Sequence, residues 1–139
     1  MQLTRAADYA LRGMIFLARQ DSLKYTRISE IADNEKVPEK FMRKLIHILN
    51  QKGYLESVRG KNGGIRLGRD PDKLSILDIV EAVEGPMALN ICLKEPNECD
   101  LKDICSMCSV WSEAQIALMA VLRKYSLTDM ANDTTRKVV

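Results

Sequence analysis

Apolar residues recur at Leu3, Ala7, Leu11, Met14, Ile15 and Ala18, the three-to-four-residue spacing of an amphipathic helix. Thr4 stands where a cap would accept from free amides, and Asp21-Ser22 closes the element. A second, shorter helix is predicted from Ser29 to Asn34, with Ile28, Ile31 and Ala32 turned inward. Asn34 to Val37 makes a tight connection, and Pro38 occupies a first-turn position that a proline tolerates. The third helix carries Phe41, Leu45, Ile48 and Leu49 as its inward set and stops before Gly53.

The period then changes. Residues 54–58 and 65–67 flank Arg59-Gly60-Lys61-Asn62-Gly63-Gly64, a turn rich in residues that accept positive φ, which predicts a hairpin with a basic tip. Asp70-Pro71-Asp72 reads as a linker, and Ser75 as the cap of a helix over Ile76, Ile79, Val80 and Val83, ended by Gly85-Pro86. No periodicity holds from Met87 to Cys108, an irregular loop longer than a compact domain usually carries without a function. A long amphipathic helix follows from Ser109 to Tyr125, its apolar stripe of Val110, Trp111, Ala114, Ala117, Leu118, Val121, Leu122 and Tyr125 wide enough to meet a partner helix as well. Residues 132–139 are expected to form a flexible tail.

Composition narrows the class. The 139 residues are 46% hydrophobic and 29% charged, an ordinary globular balance with about one domain's length. No apolar run approaches the roughly 18–20 residues that span a bilayer, so no membrane partner is expected. Asp8 and Arg12 interrupt the place where an export signal needs an apolar stretch, which predicts a cytoplasmic protein. The net charge of +2 hides an asymmetry: residues 1–73 hold 15 basic and 9 acidic side chains, the remainder 6 and 10. A basic front and an acidic back point to a polyanion at the front.

Helix, short helix, turn, helix and basic hairpin is the order of a winged helix-turn-helix. The third helix presents Glu39, Lys40, Arg43 and Lys44 near its N-terminus, where a recognition helix meets base edges. Arg43 and Lys44 can reach guanine or phosphate, and Glu39 can accept from cytosine. Arg59 and Lys61 on the glycine turn suit a phosphate or a narrow minor groove. The alternative is a solvated basic helix face beside an ordinary hairpin. His47, the single histidine, has no partner ligand near it in sequence, and a Ser-His-Asp triad is disfavoured. The glycine turn lacks both the spacing and the following helix of a nucleotide loop. No acid–base pair or activated nucleophile is evident, so no enzymatic activity is expected.

The four cysteines, Cys92, Cys99, Cys105 and Cys108, fall in one short window with spacing C-x6-C-x5-C-x2-C. In a reducing compartment such clustering favours a metal site or redox chemistry over structural disulfides. It matches neither paired C-x-x-C zinc motifs nor the tight ferredoxin run, so zinc and iron–sulfur both stay open. Buried free thiols and a reversible disulfide switch are the alternatives. A helix beginning near Cys108 would favour thiolates there and at Cys105.

Taken together, Met1-Gln2-Leu3-Thr4 with Asp8-Tyr9-Ala10-Leu11-Arg12, the segment Val58 to Gly68 and the cysteine loop resemble the Rrf-type family of bacterial transcription regulators, which includes the IscR, NsrR and RirA groups. The resemblance spans about residues 1–131. It implies a mainly α, α+β fold: a winged helix-turn-helix with a long C-terminal dimerisation helix, working as a homodimer on a double-stranded DNA operator. It also implies an iron–sulfur cluster, 2Fe-2S or 4Fe-4S, held by Cys92, Cys99 and Cys105. It matches the third helix to the recognition helix and Arg59 to the wing arginine. The fourth ligand is where the chain departs: Cys108 stands where the IscR group has a histidine, and Asp8 matches the aspartate that NsrR-like members supply from the partner subunit. Asp8 has a plainer reading, ion pairing with Arg5 or Arg12 on its own helix.

The expected organisation is a DNA-binding domain over residues 1–73, a connecting helix and linker over 74–91, a cluster-binding loop over 92–108, and a dimerisation helix with end segment over 109–131. The expected function is a transcription repressor sensing iron, nitric oxide or redox state. The alternatives are a zinc-stabilised scaffold protein and a cluster-free regulator switched by Cys105 and Cys108.

Overall fold

The computed structural model describes residues 2–133. Helix α1 (Arg5–Ala18) starts where Thr4 accepts a hydrogen bond from the Ala7 amide, and it buries Ala7, Ala10, Met14 and Leu17. Leu3 is exposed instead of joining this stripe, because it precedes the cap. Helix α2 (Ile28–Glu35) buries Ile31 and Ala32 and ends at Lys36 in the left-handed conformation, which turns the chain sharply into α3 (Glu39–Gln51).

In α3 the buried set is Met42, Leu45, Ile46 and Leu49. Two stripes share Leu45 and Leu49, one completed by Phe41 and Ile48, the other by Met42 and Ile46. Period alone does not separate them. The second fills the core; Phe41 stays 38% exposed and Ile48 is half-buried.

Strands β1 (Leu55–Val58) and β2 (Gly64–Leu67) pair antiparallel, Leu55 opposite Leu67 and Ser57 opposite Ile65. Leu55 and Ile65 point into the core, and Glu56 pairs with Arg66 across the strands at 2.9 Å. Thr26 adds a third edge by exchanging two 2.8 Å backbone hydrogen bonds with Ile65. Only glycine fits at position 64: φ is +154°, and a Cβ there would stand 2.5 Å from the Thr26 carbonyl oxygen.

Residues 71–73 form a single 3-10 turn where a plain linker was expected, with the Asp70 carboxylate accepting from the Asp72 amide at 3.0 Å. Helix α4 (Ile76–Glu84) opens with a reciprocal Ser75–Asp78 capping box and ends at Gly85, φ +84°. The stretch from 87 to 108 is not wholly irregular. It contains the one-turn helix α5 (Ile91–Lys94), capped by Asn90, and a 3-10 turn at Pro96–Glu98. Helix α6 (Met107–Lys124) starts two residues earlier than the apolar pattern indicates and stops before Tyr125.

A further helix, α7 (Leu127–Asn132), was not expected. Its Ser126–Asp129 capping box fixes the start, Leu127 is fully buried, and Arg19 donates to the carbonyls of Met130 and Ala131 at 3.3 and 3.2 Å. The signal lay in Ser126-Leu127-Thr128-Asp129, too short for periodicity to register. Backbone bonds from Ile76 to Tyr125 and from Leu127 to Leu74 seat α7 beside the entrance of α4. Of the expected tail, Asn132 closes α7 and residues 134–139 lie outside the described residues.

One core therefore joins α1, α2, α3, the hairpin, α4 and α7. Helix α6 stands apart: it touches α4 and α5 and buries none of its own residues. No helix among the described residues is long and apolar enough to cross a membrane.

Candidate nucleic-acid interface and thiol cluster

Because Met42, Leu45, Ile46 and Leu49 fix one side of α3 in the core, Lys40, Lys44 and His47 must face solvent on the other. Glu39 and Arg43 are exposed one turn apart and form an ion pair, with Arg43 Nε donating to Glu39 Oε1 at 3.1 Å. In the free chain Glu39 is thus engaged with its own helix. An exposed pair of this kind is worth about 0.3–0.5 kcal/mol, small enough for a base or phosphate to displace.

Arg59 and Lys61 sit at the exposed tip of the hairpin. Between this wing and α3 runs an open groove of about 450 Å3 lined by Arg27, Arg43 and Arg59 together with Ser29 and Ser57. The structure brings Arg43 and Arg59 to one groove and adds Arg27, which sequence reasoning missed. Arg27 is the residue before α2, and its Nη2 donates to the Lys61 carbonyl at 3.0 Å, so it ties the wing tip to the helix-turn-helix. The only available signal was its place at a helix entrance; the sequence separation of 34 residues hides the contact. Lys40 and Lys44 lie on a different part of the surface, beside Pro38 and Phe41.

All four cysteines are free and half-buried. Cys92 lies in α5, Cys99 ends the 96–98 turn, and Cys108 sits in the first turn of α6, with its amide donating to the Cys105 carbonyl at 3.3 Å. Desolvation raises the Cys92 thiol above its ordinary pKa; the negative charge and hydrogen bond of Cys108 and the charge of Cys99 add to the rise. Cys99 and Cys108 therefore both lie near enough to act on Cys92. Among the described residues, however, no three His, Cys, Asp or Glu side chains converge as a single metal ion requires. The thiol that acts most strongly on Cys92 is Cys108, whereas the sequence paired Cys108 with Cys105 for a disulfide switch.

The Asp8 carboxylate meets Arg12 at 2.9 Å, an i,i+4 pair with both side chains about half exposed. Arg12 also lies 5.7 Å from the centroid of the Tyr9 ring. At the other end of the same helix cap, Glu84 Oε1 accepts from the Thr4 amide at 2.9 Å and from its hydroxyl at 2.5 Å. Glu84 ends α4 just before the cysteine segment, so the root of that segment is fastened to the start of α1.

Comparison with known proteins agrees with this architecture. Residues 3–133 match the Rrf2 family model, described as an iron-dependent transcriptional regulator. The HTH-type transcriptional regulator NsrR of Bacillus licheniformis is 38% identical, covering 100% of this chain and 99% of its own. NsrR of Bacillus subtilis is 37% identical over 96% of this chain and 92% of its own. Among solved structures, CymR, the global cysteine regulator of B. subtilis, superposes with a TM-score of 0.77 at 27% identity, covering 94% of this chain and 96% of its own. IscR of T. potens superposes at 0.75 with 25% identity, over 96% and 88%. A match over almost every residue, on a winged helix-turn-helix with a separate long helix, means that this chain belongs to the Rrf2 family of transcription regulators, which are not enzymes.

Proposed function

We propose that this protein is a cytoplasmic, homodimeric repressor of the NsrR kind, which binds operator DNA through α3 and the wing and senses iron, nitric oxide or redox state through an iron–sulfur cluster. The observation that carries the DNA part is the groove shared by Arg27, Arg43 and Arg59, continuous in sequence with Lys61 on the wing and with Lys40 and Lys44 on α3. Three arginines lining one groove supply the charge, and guanidinium groups that can bond phosphates and guanine edges in bidentate fashion. Two such surfaces related by a dimer axis would read two half-sites about one helical turn apart.

The donor set fits an iron–sulfur cluster: four soft thiols, half-buried, with Cys99 and Cys108 both acting on Cys92, beside the N-terminus of α6. Cys92, Cys99 and Cys105 would hold it, with Cys108 or Asp8 of the partner subunit as the fourth ligand. When bound, the cluster supplies a centre that oxidants, nitric oxide or iron loss can alter. The chain's own residues provide the connection to DNA. Gln115 of α6 accepts from the Leu89 amide at 2.9 Å, Glu84 fastens the root of the segment to Thr4, and α1 carries Tyr9 against Phe41 of α3. A change in the thiol segment alters operator affinity only if it favours one arrangement of these contacts over another.

A second reading draws support from the action of Cys108 on Cys92 and from the likeness to CymR: a cluster-free regulator switched by a disulfide within the thiol segment, with Cys92 and Cys108 as the first pair to test. Anaerobic purification with iron and sulfide analysis separates the two. Broad visible absorption with stoichiometric iron and sulfide is the expected result. A colourless chain that refuses reconstitution, but whose DNA affinity responds to oxidant and reductant, would replace the cluster with the disulfide. Cys99→Ala tests the link to DNA: the expected outcome is weaker operator binding under anaerobic conditions, and unchanged affinity would disconnect the cysteines from regulation.

A further inference from the structure

Phe41 is the one large apolar side chain on α3 that the core leaves substantially uncovered, at 38% exposure, although its spacing would have allowed burial. It stands between the outward-facing lysines and α1. Pro38, Lys40, Phe41 and Lys44 together line an open pocket of about 380 Å3 on the protein surface. The ring is not loose: it meets Tyr9 edge-to-face, with centroids 5.7 Å apart and planes at 87°. That contact steadies the ring and leaves more than a third of the side chain open to a pocket it shares with two lysines.

An exposed aromatic flanked by two lysines suits an occupant that is apolar at one point and anionic around it. The major-groove edge of a thymine is such a surface, a 5-methyl group set between phosphate backbones. We infer that Phe41 is a specificity-determining residue that reads a thymine methyl in the operator, while Lys40 and Lys44 take adjacent phosphates. The inference rests on the proposed DNA-binding role of α3 and adds a base preference to it. Arg43, with Glu39 paired to it, lies on another flank of the helix and lines the wing groove, so the two flanks would read different base positions.

The test is a cycle in which protein and DNA each lose one apolar group. Duplexes enriched from a random library by the full-length protein supply the operator, and each thymine is replaced singly by deoxyuridine, which lacks only the methyl. At one position in each half-site the replacement is expected to weaken binding by about fourfold, the worth of one buried methyl-sized group. In Phe41→Ala the same replacement is expected to have less than about a twofold effect, with an unchanged slope of log affinity against log salt, since no phosphate contact is lost. A merely structural Phe41 would lower affinity for all duplexes alike and leave the thymine–deoxyuridine ratio intact, which overturns the inference. The scan on the unaltered chain needs no variant, and absence of any methyl-sensitive position overturns it too. A chain that enriches no duplex overturns the DNA-binding proposal and this inference together, whereas steep salt dependence without methyl discrimination overturns this inference alone.

Discussion

Thr26 shows how much a single buried group can hide. Its backbone is fully used in the two bonds to Ile65, yet its hydroxyl is buried with no hydrogen-bond partner among the described residues. Leaving such a group unpaired costs about 1–3 kcal/mol, so Thr26→Val, which keeps the shape and removes the oxygen, is expected to raise stability. A denaturant midpoint that moves down would reveal a hydroxyl partner. Tyr54 gives a pH dependence of definite sign. Burial first, then the charge of Asp78 and to a lesser degree Glu81, lifts its phenol above the ordinary value against the opposing pull of Arg69, whose guanidinium lies 5.0 Å from the ring centroid. A raised pKa in the folded state leaves stability intact below the ordinary tyrosine range and loses it as pH rises through the folded value. Stability should therefore fall above about pH 10, and less so in Tyr54→Phe. Equal losses in the two proteins would assign the alkaline sensitivity elsewhere.

At the scale of elements, the wing is the most exacting. A Cβ on Gly63 would come within 2.2 Å of the Val58 carbonyl, and one on Gly64 within 2.5 Å of Thr26, so the tip tolerates no side chain at either position. Gly63→Ala is expected to disturb the hairpin, to destabilise by more than about 1 kcal/mol, and to weaken DNA binding by misplacing Arg59. Arg27→Ala separates position from charge. It removes the bond to the Lys61 carbonyl as well as one groove cation, so it should lower affinity and flatten the salt slope. Arg27→Lys, which keeps the charge without the fork, should restore the slope but not the full affinity. Recovery of both by lysine would make Arg27 a simple charge.

For the whole molecule, α6 poses the sharpest question. Val110 and Val121 share one face and are 49% and 53% exposed, on a helix of which no residue is buried by the described part of the chain. Apolar faces of this kind are normally covered by a partner, and a second copy of α6 is the expected one. Val121→Glu should shift the protein toward monomer in sedimentation and weaken operator binding while leaving the melting of the α1–α4 core unaffected. A monomer in the unaltered chain at micromolar concentration would remove the homodimer.

Capping and turn chemistry were legible from the residues alone, because they are local. Thr4, Ser75 and the glycine tip act on amides within a few positions, and the structure has α1, α4 and the hairpin where those signals place them. Charge partition was legible too, since it needs only counting. The inward face of α3 was not: two stripes sharing Leu45 and Leu49 differ by only about a fifth of a turn, and packing against α1, α2 and α4 selects Met42 and Ile46. Helix α7 was missed because six residues give periodicity nothing to repeat, and its stability comes from burying Leu127 against a helix more than a hundred positions away. The same holds for Arg27 at the wing and for Cys92 beside Cys108. What the chain determines by itself is what neighbours along it can decide, namely helix starts, turns and the inventory of cations and thiols. Which of those cations share a groove, which thiols meet, and which aromatic is left bare on α3 depend on long-range contacts, and only the folded molecule fixes them.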